Sequence, residues 1–130
     1  MQIIVKKFGG TSLSNIERII RAISYIKSDL KKGYKVIVVV SAMGKETDRL
    51  LSLYDRLDEY RDTDDISALL SSGELVSSAF FAIMLNKLGL KGKSFQGWQL
   101  PIITQNISYN SLINEIHVNK LNKSLKNNEV

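Results

Sequence analysis

Apolar and polar positions change their period several times along the 130 residues, and each change marks an element. Residues 3–8, Ile-Ile-Val-Lys-Lys-Phe, are β-branched at the start and run into Gly9-Gly10, which predicts a short strand ending in a glycine turn. Ile16, Ile19, Ile20, Ile23, Ile26 and Leu30 then recur at helical spacing. Ser14-x-x-Glu17 reads as a capping box at the start of that helix, and Gly33 as its left-handed stop. Val36-Ile37-Val38-Val39-Val40 does not alternate. A strand with one wet face would alternate, so the unbroken run predicts burial on both faces, as in a parallel sheet between helices.

The second half is patterned less strongly. A loop over residues 41–48 leads into a helix carried by Leu50, Leu51, Leu53, Tyr54 and Leu57. A charged break at 61–65 precedes a third helix over about 66–88, with Gly73 inside it as a kink or a close backbone approach and Gly89 at its end. Residues 93–95 are a weak strand candidate, Gly97-Trp98-Gln99 a turn, 102–104 extended, and 111–117 another strand. Val118, Leu121 and Leu125 predict a short amphipathic helix stopped by Asn127-Asn128, and Val130 could open a further strand. The order gives one α/β domain over residues 1–130, with a mostly parallel sheet flanked by helices. Ligands in such sheets sit at the carboxyl ends of the strands, so the loops after the first two strands should converge on one site.

Composition narrows the class. Hydrophobic residues make up 44% and charged residues 24%, a globular mix, and the absence of cysteine excludes disulfides and thiolate metal sites. The net charge of +5 comes from scattered lysines, read as a solvated surface. No basic stripe with stacking aromatics accompanies them, so no nucleic-acid partner is expected, whereas anionic phosphates suit a positive field. No unbroken apolar run approaches the roughly 18 residues of a membrane span, and the first residues place apolar before basic, the reverse of a secretory signal. The expectation is a cytoplasmic protein without a membrane partner.

The most informative stretch is Lys7-Phe8-Gly9-Gly10-Thr11-Ser12. Two glycines let a backbone approach a ligand and turn N–H groups toward an anion, and a helix just afterwards adds its dipole. Lys7 at a strand end could act as a point charge on a transferring phosphate, with hydroxyls from Thr11 and Ser12 beside it. The plainer reading is a strand–turn–helix corner that needs glycine for geometry alone. The spacing fits neither a Walker A loop nor G-x-G-x-x-G. Thr47 and Asp48 could simply cap a helix, Glu74 could be a solvated helix charge, Trp98 reads as packing, and His117 has no partner at metal-ligand spacing.

These six residues resemble the opening signature of the aspartate kinases, in the amino-acid kinase superfamily. Three further blocks strengthen the resemblance: 38–51 (Val-Val-Val-Ser-Ala-Met-Gly-Lys-Glu-Thr-Asp-Arg-Leu-Leu), 69–77 (Leu-Leu-Ser-Ser-Gly-Glu-Leu-Val-Ser) and 97–104 (Gly-Trp-Gln-Leu-Pro-Ile-Ile-Thr). The resemblance implies ATP-dependent phosphorylation of the L-aspartate side chain to 4-phospho-L-aspartate, at the start of lysine, threonine, methionine and diaminopimelate synthesis, with Mg2+ expected in a complete kinase. It implies that Lys7, Gly9 and Gly10 meet the phosphates, that Ser41 and Thr47 hold aspartate, and that Glu74 takes its ammonium group. No metal ligand is assigned. The chain then reads as the amino-terminal, acceptor-binding lobe of an amino-acid kinase fold, truncated before the family's Gly-Arg-Gly-Gly-Ser-Asp type segment and without regulatory ACT domains. On that reading catalysis needs a second chain to supply the remaining lobe. The alternative is a non-catalytic remnant or a module that pairs with kinase subunits.

Overall fold

Nine elements follow one another in the computed structural model, which describes residues 2–57, 63–105, 111–128 and 130. They are β1 (Ile3–Phe8), a 3-10 turn (Gly10–Leu13), α1 (Ile16–Lys31), β2 (Lys35–Val40), α2 (Glu46–Tyr54), α3 (Thr63–Lys87), β3 (Ile102–Thr104), β4 (Ile113–Ile116) and α4 (Asn119–Asn127). Part of the expected charged break, residues 61 and 62, lies outside the described residues.

Strand alternation decides the layering. β1 and β2 pair in parallel, with Ile4 beside Val36, Lys6 beside Val38 and Phe8 beside Val40. This set faces α1 and α3, and Val36 joins Leu13, Ile23, Ile26, Phe81 and Leu85 in the buried cluster. Phe8 stacks on Phe81, ring centroids 6.1 Å apart. Lys6 cannot leave its polar end in that core, and its ammonium reaches Asp29 of α1 at 2.8 Å.

The opposite set, Ile3, Val5 and Lys7 beside Lys35, Ile37 and Val39, is more open: Val5 is 62% and Val39 46% exposed, while the Lys35 ammonium donates to the Asn128 carbonyl at the end of α4 at 3.0 Å. The expected burial of residues 36–40 on both faces is therefore not found. Among the described residues the parallel sheet is one pair, covered on one face, and β3 and β4 form a separate antiparallel pair with a bulge between Ile103 and Thr104. The fold is mixed α/β with two small sheets, rather than one mostly parallel sheet. Residues 93–95 belong to neither sheet, so the expected strand there is not found.

Helix ends follow local chemistry. α1 starts one residue later than a Ser14 cap would place it, because the 3-10 turn carries Leu13 into the core. Asn15 is the cap, its Oδ1 accepting from the Arg18 N–H at 2.9 Å. At the other end Gly33 has φ +84, its N–H donates to the Leu30 carbonyl, and the Tyr34 N–H donates to that of Asp29. This is a Schellman stop, reached at the expected glycine. α2 begins at Glu46 with Lys45 before it and no side-chain cap, so neither Thr47 nor Asp48 caps it.

α3 is apolar over most of its length. Its serines dilute the apolar residues without adding charge, and the helix is long and apolar enough to cross a membrane by length and composition. Here Phe81, Met84 and Leu85 lie in the core and the helix packs on α1, α2 and β2. Ile83 on the same helix is exposed, and Trp98 is 71% exposed, so it is not the packing residue its size suggested. The His117 Nε2 lies 3.3 Å from a Glu115 carboxylate oxygen.

Candidate functional site

Two loops leave the same end of the β1–β2 pair, and Ala42 is where they meet. The Ser41 N–H donates to the Phe8 carbonyl at 3.2 Å, extending the strand pairing by one bond, and the Gly44 N–H donates to the Gly10 carbonyl at 2.9 Å. The backbones are so close that a Cβ on Gly10 would lie 2.5 Å from the Ala42 oxygen and 3.1 Å from that of Gly44. From the third side α3 presents Gly73, where a Cβ would come within 2.8 Å of the Ala42 Cβ. Gly73 is thus a close approach rather than a kink, with α3 continuous through it. Gly10, Ala42 and Gly73 are small because β1, β2 and α3 converge there.

The next residue of α3 uses that proximity. Glu74, half-buried, accepts the Ala42 N–H on Oε1 at 3.2 Å. One carboxylate oxygen is thereby tied to the loop after β2. A solvated helix charge would have no such partner, so the plainer reading of Glu74 does not hold.

Other expected residues are placed as follows. Lys7, penultimate in β1, points to the open face of the sheet, is exposed, and has no hydrogen-bond or ion-pair partner among the described residues. Strand alternation thus divides the two lysines: Lys6 is held by Asp29 and Lys7 is left available. Gly9 is extended, φ −75 and ψ 167, and a Cβ there would meet nothing within 4 Å. Neither Gly9 nor Gly10 has a positive φ, so no left-handed backbone turns their N–H groups. Gly10 is demanded by the neighbouring loop, as the plainer corner reading held, while Gly9 borders open space.

Thr11 and Ser12 lie in the 3-10 turn that opens at Gly10, and its remaining residues stand between the glycines and α1, so that helix does not begin directly after them. The Arg18 guanidinium donates to the Thr11 carbonyl at 3.2 Å and pins the turn. Ser12 lines a small cleft of about 230 Å³ with Arg18 and Arg21. Ser41 and Thr47 are half-buried, one at the end of β2 and one in the first turn of α2. The fold therefore brings the loops after β1 and β2 and the middle of α3 into one locus. No hydrogen bond or ion pair joins Lys7, Thr47 and Glu74 to one another.

One feature of the locus was not legible beforehand. Arg49 clasps Glu46 with two bonds, Nε to Oε2 at 2.9 Å and Nη2 to Oε1 at 2.6 Å. The Glu46 Cγ also stands 3.6 Å from where a Gly73 Cβ would be. The i, i+3 spacing of an acid and an arginine was the available signal. The arginine hydrogen bonds hold the Glu46 carboxyl below its ordinary 4.5. With the folded value depressed, the pair's contribution is present above the unfolded value and lost as pH falls through the folded one. An NMR titration of side-chain carboxyls is expected to place Glu46 below 4.5, and Arg49→Gln to bring it back up. An unchanged midpoint in the variant would show that the clasp does not form in solution.

Residues 2–130 match the amino acid kinase family. The aspartokinase of Rickettsia conorii is 38% identical over 133 aligned residues, which cover 100% of this chain and 33% of that protein. The aspartokinase of Geobacillus stearothermophilus is 41% identical over 125, covering 96% of this chain and 31% of that one. The chain spans about a third of the length of these relatives. In three dimensions it resembles the crystal structure of aspartate kinase from Synechocystis, with a TM-score of 0.65 and 38% identity over 70% of this chain and 16% of that one.

Proposed function

The chain belongs to the amino acid kinase family, and from that premise we propose that it carries the acceptor and phosphate side of an aspartate kinase. The proposed reaction moves the γ-phosphoryl group of ATP to the side-chain carboxylate of L-aspartate. A carboxylate oxygen attacks phosphorus, the bond to the bridging oxygen of ADP breaks, and 4-phospho-L-aspartate forms. ATP as the donor follows from the family, and aspartate from the relatives' shared name.

The observation that carries the reading is the Glu74–Ala42 hydrogen bond. It holds a half-buried carboxylate against the loop after β2 with one oxygen engaged, leaving the other for a cation. An amino-acid acceptor needs one anionic group for its ammonium and donors for its carboxylates, and Ser41 and Thr47 supply hydroxyls on the two sides of that loop. Lys7 supplies a mobile positive charge at the strand end. Gly9 leaves room beside it, and the first N–H groups of the 3-10 turn have no acceptor within the turn. Charge spread over the equatorial oxygens of a transferring phosphoryl group calls for such donors. Thr11 and Ser12 are assigned as hydroxyl contacts on the phosphate side. Among the described residues no three carboxylate or imidazole side chains gather, so no residue is assigned to Mg2+ and no step is drawn through it.

Calorimetric titration of the 130-residue chain with L-aspartate tests the assignment. Glu74→Gln keeps an oxygen to accept the Ala42 N–H but removes the charge, so it should leave the circular dichroism unchanged and weaken L-aspartate by at least about tenfold, the loss of roughly one charge-assisted hydrogen bond. Equal affinity in the variant would reject the ammonium role. Absence of any L-aspartate binding in the parent chain would reject the acceptor site itself.

A further inference from the structure

The turn after β1 is tied down at its carbonyls. The Gly9 carbonyl accepts the Ser12 N–H at 3.0 Å, the Gly10 carbonyl accepts the Gly44 N–H at 2.9 Å, and the Thr11 carbonyl accepts Nη1 of Arg18 at 3.2 Å. Three consecutive peptide units are thus each held at the oxygen. The partners are the turn itself, the loop after β2 and the first turn of α1.

The peptides are trans, and a planar trans unit carries its N–H opposite its carbonyl. Whatever holds the oxygen therefore also aims the N–H of the following residue. Gly44 aims the Thr11 N–H in this way. Arg18 acts through two units. It fixes the Thr11 carbonyl and with it the Ser12 N–H, which holds the Gly9 carbonyl and so aims the Gly10 N–H. The N–H groups of Gly10 and Thr11 meet no acceptor among the described residues, whereas that of Ser12 is used inside the turn.

Arg18 is itself fixed by the start of α1. Its own N–H donates to the Asn15 Oδ1 at 2.9 Å, and its neighbour Ile19 is buried in the core. Arg21, one turn on and beside the same cleft, differs: its guanidinium has no hydrogen-bond or ion-pair partner among the described residues.

We propose that Arg18 is a positioning residue for the phosphate side, aiming the Gly10 N–H at the transferring group without touching that group; this rests on the phosphate assignment made above. Backbone donors aimed in advance need no reorganisation when charge develops on the phosphoryl oxygens. A glycine pair has no such rigidity of its own, and the guanidinium supplies it from outside the turn.

Two variants separate positioning from charge. Arg18→Met keeps the side-chain stem and removes the donors, and Arg21→Met removes the same charge from the next helical turn. Inorganic triphosphate is the probe, titrated by calorimetry into the 130-residue chain at about 0.15 M salt, where exposed charges more than about 8 Å apart are largely screened. Amide NMR follows the turn. In Arg18→Met the Ser12 N–H should exchange about fivefold faster, the loss of roughly 1 kcal/mol, with Val36 in the core unchanged. The Gly10 resonance should shift more than that of Thr11, which Gly44 still aims. Triphosphate should bind at least about fivefold more weakly to Arg18→Met, and within about twofold of the parent to Arg21→Met.

An unmoved turn in Arg18→Met would overturn the proposal whatever the affinity does. So would a moved turn with parental triphosphate affinity, or equal losses in the two variants, which would assign the effect to charge. A parent chain that binds no triphosphate would reject the phosphate assignment and this inference with it, and the NMR response of the turn tells that failure from the absence of the Arg18 pin.

Discussion

Phe81→Ala is expected to lower the stability of the chain by about 3–5 kcal/mol, the usual consequence of emptying a buried aromatic site. Phe81 is 3% exposed and packs with residues of α1, β2 and α3 in one cluster, so few mobile neighbours can close the space. Its ring also stacks on Phe8, an arrangement contributing roughly 0.5–1.5 kcal/mol beyond buried area. Folded domains of this size hold on the order of 5–15 kcal/mol in all, so the loss is a large share. Urea unfolding followed by circular dichroism measures it. Phe81→Leu should fall between parent and alanine, and a loss under about 1 kcal/mol for alanine would show that the stack is not formed. Phe8 lies between Lys7 and Gly9, so this packing also anchors the proposed phosphate side.

The second large effect is a contrast between neighbours. Gly10→Ala drives a Cβ to 2.5 Å from the Ala42 oxygen, and both that atom and the Gly44 oxygen at 3.1 Å belong to backbone, which has no rotamer to move. Overpacking of this kind typically costs about 1–3 kcal/mol, and a clash with backbone belongs at or above the top of that range. Gly9→Ala meets nothing within 4 Å and keeps an ordinary φ of −75, so it should be neutral or stabilise by about 0.4–1 kcal/mol through the unfolded chain. Thermal unfolding of the two variants side by side is the measurement, and equal midpoints would contradict the geometry. Under the proposed function Gly9→Ala should still weaken binding of ATP phosphates, because the added methyl occupies space left for them. A stable Gly9→Ala protein with unimpaired phosphate binding would remove Gly9 from the site.

Much of the fold was legible because local signals and packing agree. β1, β2, the stop at Gly33 and the end of α4 at Asn127 sit where periodicity, glycine and asparagine put them. The misses share a cause, in that tertiary neighbours decided them. Ser14 had the right spacing for a cap, but the need to bury Leu13 consumed a turn of chain, and Asn15 became the first residue able to cap. The β-branched run at 36–40 reports what a strand tolerates on both sides, not what lies there, and one face is open among the described residues. In the candidate site, Glu74 stood out from its apolar helix, yet the Ala42 N–H that it accepts is a backbone group with no sequence signature. The demand for glycine at position 10 likewise comes from a loop more than thirty residues on.

The lysine doublet has a consequence for how β1 finds its alignment. If the strand slid by one residue, Lys7 would replace Lys6 opposite Asp29 and the ion pair would survive the error. Charge therefore gives no protection against misthreading. The aromatic ring one position farther on supplies it, since a slid strand would expose Phe8 and leave Gly9 against Phe81. Which lysine reaches the open face is decided by an uncharged neighbour.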